Sequence, residues 1–214
     1  PVLQITSSMD IGEHPGCNRG NLYILSNADS VRMYKNDRFI KEYRPEMSPY
    51  KHLKHGPILI DDFIGDALEK NERFRPKHAK EMADAMNIVA RGSLNHIPKR
   101  LYPTALKLAL LYHIDFAEVT KLYTKYIGDW GGTATVYRFD AIKNGKVIKS
   151  VTKEPVNGIR LQAEADHTNL TEHHSYDVAL VRIRAVDAHG NVLPFYQEPV
   201  RITAEGDIAI IGPD

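Results

Sequence analysis

A chain of 214 residues is long enough to bury the core of one or two ordinary domains. Its 28 Lys and Arg residues nearly balance 27 Asp and Glu residues, and a net charge of +1 disfavours nucleic acid or an anionic membrane surface as a partner. The single cysteine, Cys17, excludes an internal disulfide, and no run reaches the roughly 18 apolar residues of a membrane span.

The first 44 residues carry short β-like segments. In the third segment Val31 and Met33 share one face, whereas Arg32 and Tyr34 share the other, which is the period-2 pattern of a half-buried strand. The dipeptide Asn36-Asp37 supplies the turn chemistry of a hairpin. The pattern therefore predicts strands over residues 2–6, 21–26, 31–35 and 38–43.

A helical pattern replaces the β pattern between residues 57 and 127. Pro76 at a first-turn position precedes a run whose apolar residues recur every three or four positions, and Gly92 fits its end. A second run, starting at Pro103, is apolar nearly all round and predicts a buried central helix. A third run, from 116 to 126, follows the capping residue Asp115. These runs predict a subdomain of three or four helices.

The β pattern returns after Trp130 and continues to the end of the chain. Asn144-Gly145, between two alternating segments, is a strong hairpin signal. Residues 155–158 have the composition of an interdomain joint. Beyond them, segments 159–165, 176–186 and 200–205 are separated by polar turns, a spacing that favours an immunoglobulin-like sandwich.

Three segments resemble parts of one family. Residues 26–37, Ser-Asn-Ala-Asp-Ser-Val-Arg-Met-Tyr-Lys-Asn-Asp, resemble a hairpin of the sandwich domain that follows the catalytic barrel in bacterial family 2 glycoside hydrolases, with Asp37 where Gly is usual. Residues 143–152 are similar to the strand pair that closes that domain. Residues 159–213 are similar to the bacterial immunoglobulin-like domain that comes next. The resemblance covers about residues 1–45 and 130–214 and leaves out the helices.

Pattern and resemblance together predict a mainly β fold with an α-helical insertion. Two immunoglobulin-like β-sandwiches are expected, the first interrupted by the helices. The predicted divisions are 1–50 plus 130–157 for the first sandwich, 51–129 for the helical insertion, and 158–214 for a second, truncated sandwich.

The resemblance implies a non-catalytic C-terminal accessory region of a β-galactosidase-like enzyme, with a structural, assembly or substrate-access role. Its implied partners are the catalytic barrel of the parent chain, carbohydrate, and further copies of itself; the compartment stays open. The alternative is an adhesin-type immunoglobulin-like module or a carbohydrate-binding module of a bacterial surface protein. A third class is an independent catalytic or regulatory helical domain.

Candidate catalytic groups in this chain have structural interpretations. Retaining glycosidases need paired carboxylates at the strand ends of a barrel of about 250 residues, which exceeds this chain. Asp61-Asp62 and Glu69 with Glu72 fit helix capping and solubilising charge. His52 and His55 have a metal-like spacing without an evident third ligand. No catalytic residue, metal ligand or cofactor is therefore expected.

Trp130 is the one candidate binding residue. It stands next to Gly131-Gly132 at a helix-to-strand junction, where an exposed ring can stack on the CH face of a sugar. A packing anchor between subdomains is the competing interpretation. The sequence therefore predicts a carbohydrate contact at Trp130 or a buried junction residue.

Overall fold

The structure is a computed structural model that describes residues 1–7, 9, 19–92, 98–103, 106–107, 110, 116–128 and 134–212. The chain divides into two compact units, Pro1–Pro155 and Val156–Asp214. None of the helices described here combines the length and the apolar composition needed to cross a membrane.

Two antiparallel sheets form the first unit. One has three strands in the order β1-β2-β5 and the other has four strands in the order β4-β3-β6-β7. The strands are β1 (Leu3–Ile5), β2 (Tyr23–Ser26), β3 (Ser30–Lys35), β4 (Arg38–Tyr43), β5 (Ile58–Leu59), β6 (Tyr137–Lys143) and β7 (Lys146–Lys153).

The helices of this unit lie between β5 and β6 in the chain. They are α1 (Ala67–Glu72), α2 (Pro76–Arg91) and α3 (Phe116–Tyr123), and a π-helical turn (Thr124–Gly128) continues α3. Short 3-10 turns occupy Pro45–Met47 and Lys99–Leu101.

Both predicted hairpin turns are confirmed. The β3–β4 turn has positive φ at Asn36 (47°) and Asp37 (60°), and the β6–β7 turn has positive φ at Asn144 (50°) and Gly145 (74°). Two successive left-handed residues are the conformation that matches the twist of a two-residue hairpin, and Asn, Asp and Gly adopt it at the lowest cost.

Helix α2 is also as predicted. It begins at Pro76 and ends at Arg91, and the N–H of the next residue, Gly92, donates to the carbonyls of Ile88 and Val89 at 3.1 Å each. Of its predicted apolar stripe, Val89 is half-buried and the other residues are buried, namely Ala79, Met82, Ala83, Met86 and Ala90.

One apolar core joins both sheets to the helices. Ile24 comes from the three-stranded sheet, Met33 and Phe139 from the four-stranded sheet, and Met82 and Met86 from α2. The region assigned from sequence to a separate helical insertion, 51–129, also contains β5, which pairs with β2. The helices therefore share the core of the sandwich instead of having one of their own.

The run after Pro103 differs from the buried helix that its composition predicts. Of its described helical residues, Leu106 is 60% exposed and Leu110 is 64% exposed. Lys107 of the same run forms an ion pair with Glu81 of α2. The described leucines of this run therefore face solvent instead of the core.

The second unit contains β8 (Arg160–Ala165) and β9 (Val181–Val186), which form one antiparallel sheet. Its described residues form this one sheet, and the second, truncated sandwich expected from the pattern stays a prediction. The prediction of a mainly β chain with a helical insertion is confirmed, since nine strands in antiparallel sheets lie within the described residues.

Candidate functional site

Trp130, the residue predicted to contact carbohydrate, lies outside the described residues, so that role stays a prediction. The chain is described up to residue 128 and again from residue 134. The π-helical turn Thr124–Gly128 precedes it, and residues 134–136 lead from it into β6.

The preceding flank is bound to β3 and α1. Lys35 Nζ donates to the carbonyl of Tyr126 at 2.8 Å. Glu72 Oε1 accepts from the Tyr126 hydroxyl at 2.5 Å and from Lys125 Nζ at 2.7 Å. The bond from Lys125 and that from Tyr126 lower the pKa of the Glu72 carboxyl, while burial and Glu72 raise the pKa of the Tyr126 hydroxyl.

The following flank is bound to the β3–β4 turn. Asn36 N–H donates to the carbonyl of Val136, and Val136 N–H donates to Asn36 Oδ1, both at 2.8 Å. Because Lys35 and Asn36 are adjacent, both flanks of the segment that carries Trp130 are held at the same end of the four-stranded sheet.

A group of aromatic and charged side chains, here called the hairpin cluster, occupies the outer face at that end. It consists of Tyr34, Asp37, Phe39 and Arg138. The rings of Tyr34 and Phe39 meet edge to face at 5.8 Å, and the Arg138 guanidinium lies 4.4 Å from the Tyr34 ring centroid. Arg138 Nη1 donates to Asp37 Oδ1 at 2.6 Å. Phe39 is 48% exposed and the Asp37 side chain is 88% exposed.

An exposed aromatic ring beside a carboxylate and a guanidinium has the chemistry needed to bind a sugar. An exposed ring can pack against the CH face of a pyranose, and a carboxylate beside a guanidinium can bond its hydroxyl groups. Sequence reasoning missed Phe39, because a register shift between Met33 and Tyr34 changes which side chains of β4 point outward. The period-2 pattern places Tyr34 on the same face as Arg32, and this aromatic residue beside a charged one is the sequence signal for this face.

Arg19 is a buried cation beside the same region. Its guanidinium lies 5.2 Å from the Phe63 ring centroid and 5.1 Å from that of Tyr137. Its Nη1 donates to the carbonyl of Met9 and its Nη2 to that of Ile127, both at 2.9 Å. A buried guanidinium needs hydrogen-bond acceptors or aromatic rings to offset the loss of water. Its bond to the carbonyl of Ile127 connects the chain before β2 to the π-helical turn.

The acidic pair Asp61-Asp62 has a structural role in the fold. Asp62 Oδ1 accepts from Ile64 N–H at 2.9 Å, Gly65 N–H at 3.0 Å and Asn87 Nδ2 at 2.9 Å. Asp61 forms an ion pair with Lys41 at 2.8 Å. Asp62 therefore caps the turn before α1, which is the type of role that its position in the sequence suggested.

Among the described residues, His, Cys, Asp and Glu side chains form no group of three or more that could hold a metal ion. His52 and His55 are exposed, and Cys17 lies outside the described residues.

Comparison with known proteins gives one relationship. A β-galactosidase from Rhizobium radiobacter is 32% identical over 88 residues, which cover 40% of this chain and 62% of that protein. The chain therefore spans less than two thirds of the length of this relative. No protein-family model matches the chain. These findings support a relationship to glycosidases.

The contacts of Glu72 predict a pH-dependent contribution to stability. The folded state lowers the pKa of this carboxyl below its ordinary value of 4.5, so its contribution is present above that value and is lost as the pH falls through the lowered one. At pH 7, Glu72→Gln should reduce the free energy of unfolding by up to about 1 kcal/mol, because Lys125 is largely exposed. The difference should shrink in acid, as measured by urea unfolding at several pH values.

Glu69→Gln is the matched control, since it makes the same change on an exposed side chain of α1. A deficit for Glu72→Gln that stays constant from neutral pH to acid would contradict this role of the carboxylate.

Proposed function

We propose that the chain is a non-catalytic C-terminal accessory region of a family 2 glycoside hydrolase of the β-galactosidase type, with a structural, assembly or substrate-access role. The observation that supports this proposal is the 32% identity to a β-galactosidase over 88 residues. The fold agrees with it, because the described strands are antiparallel, whereas a (β/α)₈ catalytic barrel needs eight parallel strands.

The described carboxylates also fit an accessory role. Retaining glycosidases place two carboxyl groups about 5–5.5 Å apart as acid and nucleophile. Here Asp62 caps a turn, Glu72 bonds Lys125 and Tyr126, and Asp140 accepts from Ser150 at 2.7 Å and Arg138 at 3.2 Å. Each of these carboxylates forms hydrogen bonds or ion pairs that stabilise the fold.

The proposed partner is the catalytic barrel of the parent chain. The second unit, from Val156 onward, is proposed to belong to a bacterial immunoglobulin-like domain, because residues 159–213 resemble that domain in sequence. In this arrangement the first unit is the sandwich that adjoins the barrel. The genomic reading frame upstream should then encode a barrel with paired carboxylates.

The isolated chain should not hydrolyse p-nitrophenyl β-D-galactopyranoside, because the acid and nucleophile of such enzymes stand on a barrel of parallel strands, whereas the described strands here are antiparallel. Release of nitrophenol should equal that of buffer, in an assay where a complete β-galactosidase is active. Asp84 of α2 is included in the test because burial, with the nearby charges of Asp61 and Asp62, raises the pKa of its carboxyl. Turnover that disappears in Asp61→Asn, Asp62→Asn or Asp84→Asn would contradict the accessory interpretation.

Carbohydrate binding is the second candidate function, and the exposed hairpin cluster favours it. Phe39 offers a ring face, and the carboxylate of Asp37 with the guanidinium of Arg138 offers hydroxyl partners. We propose that Trp130 contacts the same sugar, since both flanks of its segment are bound to this hairpin.

Titration with lactose tests this candidate. Trp130 is the only tryptophan, so a change in intrinsic fluorescence reports on it alone. Phe39→Ala should weaken binding measured by calorimetry about two- to tenfold through loss of stacking. Val147→Ala, at another exposed apolar side chain of the same sheet, is the control. Unchanged affinity in both Phe39→Ala and Trp130→Ala would exclude this surface.

A further inference from the structure

The outer edge of β8 carries backbone groups without partners among the described residues. Asp166 N–H donates to the carbonyl of Leu180 at 3.1 Å, in line with the pairing of β8 and β9. Because N–H and C=O groups alternate in direction along a strand, the even-numbered residues of β8 bond β9 and the odd-numbered ones point outward. Leu161, Ala163 and Ala165 therefore present an open edge.

The outer edge of β9 is different, because the chain after it returns to pair with the C-terminal end of that edge. Leu193 N–H donates to the carbonyl of Ala185 at 2.9 Å, and Val192 forms a bridge with Val186. Of the two strands, β8 is the one whose whole outer edge has no backbone partner among the described residues.

The β8–β9 sheet has one apolar and one mainly charged face. The register places side chains alternately on the two faces. One face carries Leu161, Ala163, Ala165, Val181, Ile183 and Ala185, and the other carries Arg160, Gln162, Glu164, Arg182, Arg184 and Val186. Leu161 is 50% exposed and Val181 is 53% exposed. An isolated two-stranded sheet is marginally stable in water, so additional strands would stabilise it.

We propose that the β8 edge pairs with the β8 edge of a second copy of this chain, antiparallel about a two-fold axis at Gln162. In this register Leu161 lies opposite Ala163 of the second copy, and each of these residues directs its N–H and C=O outward. An antiparallel hydrogen-bonded pair exchanges two bonds, so the two symmetric pairs form about four backbone hydrogen bonds. The result is a four-stranded sheet with the order β9-β8-β8-β9.

Charge complementarity specifies the partner and the register. The same two-fold axis places Arg160 opposite Glu164 of the second copy. This is a non-hydrogen-bonded pair, in which the Cα atoms are about 4.5 Å apart and the side chains are close together. Within one chain, Arg184 Nη1 contacts Glu164 Oε2 at 3.2 Å, so Oε1 can accept from the second Arg160. A shift of one residue would move apolar side chains to the charged face.

The same operation on β9 is unfavourable. A two-fold axis at Ile183 would place Arg182 opposite Arg184 of the second copy, and like charges directly opposite each other destabilise a strand pair. The sequence of β8 is self-complementary, whereas that of β9 repels its own copy.

Sedimentation equilibrium of the full chain over a range of concentrations tests the proposal. The wild-type chain should form dimers. Arg160→Glu should raise the dimer dissociation constant by about tenfold or more, because it places carboxylates opposite each other. Arg160→Glu combined with Glu164→Arg should regain most of the affinity. Glu172→Arg, a charge reversal on an exposed residue outside the strands of this unit, should leave the dimer unchanged.

Ala163→Pro is a second variant, which removes an outward N–H that β9 does not use. Circular dichroism should show an intact β signal while dimerisation is lost. A wild-type chain that stays monomeric, a dimer unaffected by Ala163→Pro, or a charge swap that restores nothing would each overturn the proposal.

Discussion

The first unit depends on one apolar core that two sheets and a helix share. Met82 and Met86 of α2 lie in the same buried cluster as Ile24 of one sheet and Met33 and Phe139 of the other. Burying a side chain of this size contributes about 1.5–3 kcal/mol, so each layer is stabilised by the others. The helices are therefore part of the sandwich, although they interrupt its strands in the sequence. The short strand β5 also links the two regions, because it lies in the stretch assigned to the helices and pairs with β2 of the three-stranded sheet.

Polar contacts then fix how the layers meet. Buried Asn87 of α2 accepts from Phe63 N–H at 3.0 Å and donates to Asp62, which holds the helix to the turn before α1. Arg19 and Lys35 bind carbonyls of the π-helical turn. Buried polar groups must find such partners, so these contacts limit where the turn can lie. These contacts hold both flanks of the Trp130 segment at the end of the four-stranded sheet where the hairpin cluster lies. The hairpin cluster is the surface proposed to bind carbohydrate.

Local patterns predicted what depends on local chemistry. The two hairpin turns follow from Asn36-Asp37 and Asn144-Gly145, and the bounds and buried face of α2 follow from Pro76, Gly92 and its apolar period. Features set by distant partners could not be predicted in this way. A two-residue strand such as β5 has no measurable period, and its pairing is decided by β2. The exposure of Leu106, the outward turn of Phe39 at a register shift and the burial of Arg19 depend on packing between remote segments.

Native-state hydrogen exchange tests most directly whether the helices and sheets of residues 1–155 are one cooperative framework. A shared core predicts that the slowest amides of α2, β3 and β6 exchange through the same opening, with equal free energies and the same dependence on denaturant. The account would be contradicted if the α2 amides exchanged with a clearly lower free energy of opening while the amides of β3 and β6 stayed protected. In that case the helices would be a separately folding insertion, as their periodicity alone suggests.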